Sequence, residues 1–116
     1  MATSIIEGRK LLETVTLNSN VSSGAIKIYA VGNGLYLLDV EEIVLASDLA
    51  AGNEIVVGTI TNTALRRNAM GVILNVSSGK VRTPACIRID SGNGQVLVMN
   101  SASVGSKIYG YGKVFY

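Results

Sequence analysis

Between Ala85 and Asn100 the chain alternates on both sides of Ser91-Gly92-Asn93-Gly94. Ile87 and Ile89 alternate with Arg88 and Asp90 before this stretch, and Val96 and Val98 alternate with Leu97 and Met99 after it. A two-residue period flanking an Asn-Gly turn signals a β-hairpin, because Asn and Gly accept the positive φ that lets the chain fold straight back. The signal recurs at Gly32-Asn33-Gly34, between alternating runs at 25–31 and 35–44. Further strands are expected at 11–17, 54–60, 69–76, 80–90, 95–100 and 107–116. Ser47 to Gly52 reads as a single helical turn, with Ser47 as cap and Gly52 as stop. Pro84 has no N–H to give a ladder, so it marks an edge position or a bulge. Short strands with a turn about every ten residues predict an all-β, antiparallel β-sandwich of the jelly-roll kind.

At 116 residues the chain has the length of one domain. Residues 1–10 read apart from it: Ile6-Glu7-Gly8-Arg9 spells the site of a tag-removing protease, and a linker out of a longer fibre protein reads equally well. Residues 11–116 form the predicted β-sandwich. No apolar run reaches the roughly 18 residues of a membrane-spanning helix, so no membrane insertion is expected. The start of the chain lacks the basic and apolar regions of a signal peptide.

Several residue types are scarce in ways that exclude chemistry. There is no histidine, which removes the usual general base and the Ser-His-Asp and Cys-His constellations. Cys86 is the one cysteine and permits no intrachain disulfide. A net charge of +2 with both signs interspersed is not a phosphate-binding stripe, so nucleic acid is not an expected partner. Gly92-x-Gly94 and Gly110-x-Gly112 do not lead from a strand into a helix, as a nucleotide loop must. No cofactor or metal is expected. Asp39, Glu41, Glu42 and Asp48 read as the solvated end of a strand rather than as a calcium site or a glycosidase pair.

Several predicted strands are apolar on both faces. Met70, Val72 and Leu74 oppose Ile73; Val96 and Val98 oppose Leu97 and Met99; Leu35 and Leu37 oppose Tyr36 and Leu38. A sandwich needs only one apolar face per strand, and monomers avoid large bare patches. An oligomer is therefore expected.

The order of short cues along the chain is also informative. Ile28-Tyr29-Ala30-Val31-Gly32-Asn33-Gly34-Leu35-Tyr36-Leu37 is followed by Leu49-Ala50-Ala51-Gly52, Val57-Gly58-Thr59-Ile60 and the Arg66-Arg67 loop. Then come Ile87-Arg88-Ile89, Asn93-Gly94-Gln95-Val96 and a closing Gly105 to Ile108-Tyr109-Gly110. This order resembles the C-terminal head (tip) domain of receptor-binding and tail-fibre proteins of tailed phages of Gram-positive hosts. The resemblance covers about 11–116. It implies a homotrimeric head at the tip of a tail fibre or base plate in the virion, assembled in the host cytoplasm beside other phage tail proteins. It implies adhesion to a host cell-wall saccharide without catalysis.

The ligand-binding residues expected from these readings are Arg66, Arg67, Asn68, Arg88, Asp90 and Asn93, with Tyr109 and Tyr111 as an aromatic face. Arg donates in a planar fork suited to sugar hydroxyls or anionic groups. Tyr109 and Tyr111 share one face of the last strand, where they suit either a sugar platform or ordinary packing. The alternative function is a structural fibre or base-plate module that binds no glycan.

Overall fold

A computed structural model describes residues 9–77 and 81–116. Residues 1–8 of the leader expected over 1–10, the turn at 78–79 and the strand start at Lys80 lie outside the described residues. The strands are β1 (Lys10–Thr14), β2 (Thr16–Leu17), β3 (Val21–Gly32), β4 (Leu35–Leu45), β5 (Glu54–Thr59), β6 (Ala69–Ser77), β7 (Val81–Ile89), β8 (Gln95–Asn100) and β9 (Tyr109–Phe115). The all-β class is as expected. A 3-10 turn at Thr63–Leu65 is the sole helical element among the described residues. None of them forms a helix long and apolar enough to cross a membrane.

All pairings are antiparallel, in the order β1-β3-β4-β9-β6-β7-β8-β5-β2. The two edges of this sheet are halves of one segment. β1 pairs with β3 and β2 pairs with β5, and between them the Val15 N–H donates to the Ile26 carbonyl at 2.8 Å. The sheet therefore curls until it nearly closes, which leaves few strand edges bare. The molecule is flattened, measuring 48 × 32 × 20 Å.

The core lies inside the curl. Ile26 and Ile28, Leu38 and Val40, Ile73, Ile87 and Ile89, and Val96 and Val98 enter it from β3, β4, β6, β7 and β8. Along β4 the phase of the inward residues changes: Leu38 and Val40 give way to Ile43 and Leu45. A bulge at Glu41 and Glu42 makes the change, with Glu42 at φ 42° and a register shift between Val40 and Ile43. One extra residue resets the alternation, so both halves of β4 keep an apolar face inward.

The turns follow their local chemistry. Gly32 pairs with Leu35 around Asn33 (φ 55°) and Gly34 (φ 74°), a two-residue type I′ turn. The β7–β8 hairpin forms with a longer loop, Ser91 to Gly94. There the Gly94 N–H donates to the Asp90 carbonyl at 2.8 Å, and Gly94 alone in the loop has positive φ. Pro84 sits opposite Leu74 of β6, one residue past the last β8 pairing at Ala85 and Asn100, so it interrupts no ladder there.

The expected helical turn at Ser47 to Gly52 is absent. Leu49 instead exchanges both backbone hydrogen bonds with Ser106, at 2.8 and 3.1 Å, and buries its side chain. Core burial and a long-range bridge outweigh a marginal local preference.

Candidate functional site

The expected ligand residues fall into two groups. The first lies at one end of the sheet, where the loop after β5 meets the β7–β8 hairpin. Arg66 donates from Nε to the Ile60 carbonyl at 2.9 Å, alongside Gly94. Arg67 donates to the Gly34 carbonyl at 2.8 Å and stacks over the Tyr36 ring at 4.3 Å. The Asn68 side-chain oxygen accepts from the Ser91 N–H at 3.3 Å. Asp90 accepts from the Gly92 N–H and Asn93 from the Gln95 N–H, both at 2.9 Å. These side chains thus hold the loops to each other and to the start of β4.

The C-terminus completes this end. Tyr116 and Tyr36 exchange backbone hydrogen bonds at 2.8 and 2.9 Å, and their rings meet edge-on at 5.5 Å. The Tyr116 hydroxyl donates to the Leu65 carbonyl at 3.0 Å. Burial, with the nearby Tyr36, pushes the Tyr116 phenol well above its ordinary pKa.

Arg88 stands apart from the loops, on the outer face of β7. It reaches Glu54 on β5 through two hydrogen bonds of 2.7 and 2.8 Å. These hydrogen bonds hold the Glu54 carboxyl below its ordinary value and raise Arg88 further. A shallow hollow of about 280 Å³ lies beside it, lined by Asn68, Ala69, Met70, Arg88 and Ile89.

The second group is Tyr109 and Tyr111. They line an open groove of about 1030 Å³ that runs from the β4 bulge across to β9. Asp39, Glu41, Glu42 and Lys113 line it as well, with Ser23, Gly24 and three valines. The bulge borders this concavity and leaves both Glu41 and Glu42 exposed on it. Gly24 (φ 101°) packs directly on the Glu42 carbonyl, where a Cβ has no room.

The electrostatics of the groove are ordered. Asp39 is only 6% exposed and lies between Lys113 at 3.3 Å and Arg9 at 3.6 Å. Glu41 pairs with Lys27 at 3.2 Å. Arg9 also stacks over Tyr29 at 4.3 Å. Among the described residues, neither the Glu42 carboxylate nor the hydroxyls of Tyr109 and Tyr111 have a hydrogen-bond partner. No three acidic, Cys or His side chains among the described residues converge to hold a metal ion. Asp90, expected among the ligand-binding residues, does not line this groove.

Sequence reasoning missed the carboxylate wall of the groove. The change of phase from Leu38 and Val40 to Ile43 and Leu45 was the available signal, since an apolar period that shifts by one residue implies a bulge.

The outer sheet surface beside the groove is apolar. Met70 (72% exposed), Val72 and Leu74 on β6 lie next to Tyr111 and Phe115 on β9.

No protein-family model and no curated protein matches the chain. A solved structure does match in three dimensions: the crystal structure of the head domain of phage bIL170, reported in the context of a common fold for the receptor-binding domains of lactococcal phages. The TM-score is 0.74 at 14% identity, over 92% of this chain and 96% of that one. This chain has the head-domain fold. The groove lies along β4 and β9, and the hydrogen-bonded loops lie at one end of the sheet.

Proposed function

We propose that this chain is the receptor-binding head of a phage that infects a Gram-positive bacterium. In this reading it sits at the tip of a tail fibre or base plate and adheres to a cell-surface saccharide without catalysis. The observation that carries the reading is the likeness in fold to a phage receptor-binding head over nearly the whole of both chains. The groove supports it, because it brings aromatic rings, and hydrogen-bonding groups that have no partner among the described residues, to one concave surface.

The proposed assembly is a homotrimer. Its support is the bare apolar strip of Met70, Val72, Leu74 and Phe115. Contiguous exposed apolar patches of this kind mark protein contacts. A trimer also suits the end of a fibre, where three chains meet on one axis.

The test is adhesion. Labelled head protein is incubated with lactococcal and other Gram-positive cells, with and without phage. The expected outcome is saturable binding to at least one strain and competition with phage adsorption there. Protein that binds no strain and blocks no adsorption defeats the adhesin reading and favours a structural fibre module.

A further inference from the structure

The groove at the β4 bulge has a more specific use. We propose that it is a carbohydrate subsite holding one pyranose unit, with the sugar ring against Tyr109 and Tyr111 and its hydroxyls donating to Glu41 and Glu42. This rests on the receptor-binding reading above and adds the place and the mode of recognition.

Size and shape come first. The groove is about 1030 Å³, just above the roughly 300–1,000 Å³ typical of small-molecule sites. It is open rather than enclosed, so a sugar seated there can continue into a longer chain. Its two walls differ in chemistry. The β9 wall offers phenol rings, which pair an apolar body with a polar tip. The β4 wall offers carboxylates, which only accept hydrogen bonds, and a sugar ring is rich in hydroxyl donors. Hydrogen bonds to a charged acceptor are the stronger kind.

The walls are held in place before any ligand arrives. Asp39 is buried and fixes Lys113 along the groove. Gly24 packs against the backbone of Glu42 and Ile43, with no room for a Cβ between them. A site with its geometry already set loses less entropy on binding. The loop residues differ, because Arg66, Arg67, Asn68, Asp90 and Asn93 are already hydrogen-bonded to backbone groups, whereas Glu42 has no hydrogen-bond partner among the described residues.

The test uses the full chain, labelled with ¹⁵N. Methyl glucoside, methyl galactoside, methyl rhamnoside and N-acetylglucosamine are titrated in separately, with glycerol as a polyol lacking a ring face. The expected result is amide shifts at Gly24, Glu41, Glu42 and Tyr109–Tyr111 with at least one pyranoside and not with glycerol. Glu42→Gln and Tyr109→Ala should each weaken that pyranoside by about tenfold, the loss of one charged hydrogen bond or one ring contact. Glu42→Gln keeps the side-chain shape, and its melting temperature and mass by light scattering should stay unchanged.

Equal shifts with glycerol would overturn the ring platform. Shifts confined to Asn68, Asp90 and Asn93 would overturn the groove and leave the adhesin reading standing. So would cell binding that Glu42→Gln and Tyr109→Ala leave intact. A loss of sugar binding only together with a loss of oligomer mass would make the groove a subunit contact and overturn the subsite. Protein that binds neither sugars nor cells overturns both readings.

Discussion

Arg88 on β7 and Glu54 on β5 are joined across the strand between them by two hydrogen bonds of 2.7 and 2.8 Å. That strand is β8, and its Leu97 is the register partner of Arg88. Leu97 is only 8% exposed, yet it is not part of the main core cluster. The ion pair therefore roofs an apolar residue on the outside of the sheet. The chain covers this part of its second apolar face by itself, while β6 stays bare.

Acid should dissolve this roof. The bond to Arg88 lowers the Glu54 pKa from 4.5. A carboxyl lowered by folding stabilises the fold fully above its unfolded value, and the effect fades as pH falls through the folded value. Arg88 stays charged throughout. The Glu54→Gln variant should thus melt below wild type at pH 7, and the gap should close by about pH 2. A gap unchanged across thermal melts at both pH values would refute the assignment.

Asn75 is a second point of dependence. It is fully buried on β6, donates to Thr83 at 3.1 Å and accepts from the Tyr109 N–H at 3.0 Å. The β6–β9 ladder itself has only two paired positions, Leu74 with Tyr111 and Asn75 with Gly110. The side chain thus extends a short ladder. Asn75→Ala strands buried groups and should reduce stability by about 1–3 kcal/mol. Urea denaturation with an unchanged slope measures it; a loss below about 0.5 kcal/mol would show that these bonds contribute little net.

Two glycines of similar φ should respond unequally. Gly34 (φ 74°) opens to solvent, so Gly34→Ala should cost only the left-handed strain, about 1–2 kcal/mol. Gly94 (φ 76°) lies against the Arg66 side chain and the Ile60 carbonyl, where an added Cβ collides. Gly94→Ala should cost clearly more and should loosen the Arg66 loop. Equal melting temperatures for the two variants would contradict this packing.

The bare strip on β6 predicts self-association. Light scattering of the wild type should give three times the chain mass, and Val72→Glu should give the monomer with an unchanged β-sheet circular dichroism spectrum. A charge at a subunit contact is desolvated at high cost, whereas on a free surface it is nearly neutral. A monomeric wild type would remove the trimer from the proposal.

Much of the fold could be read from local pattern. The strands at β3, β4, β5, β6, β7 and β8 stand close to where two-residue alternation places them, and Asn33-Gly34 forms the tight turn its residues favour. The candidate site was less legible. Tyr109 and Tyr111 were found by their shared parity, but Asp39, Glu41 and Glu42 looked like an ordinary solvated strand end. Arg66, Arg67 and Asn68 looked open for a ligand, yet each meets a partner at the same end of the head. Their partners are Ile60, Gly34 with Tyr36, and Ser91.

The sequence by itself determined the all-β class, the hairpins and the apolar surplus on β6, because alternation and turn chemistry act over a few residues. Only the tertiary structure decided the rest. It placed β9 between β4 and β6, brought the two edges of the sheet together on either side of Val15, and set the extra residue at Glu42 beside a groove. Those outcomes depend on which distant strands pair and in what register, and each such pairing is selected by burial of the whole core rather than by any one segment.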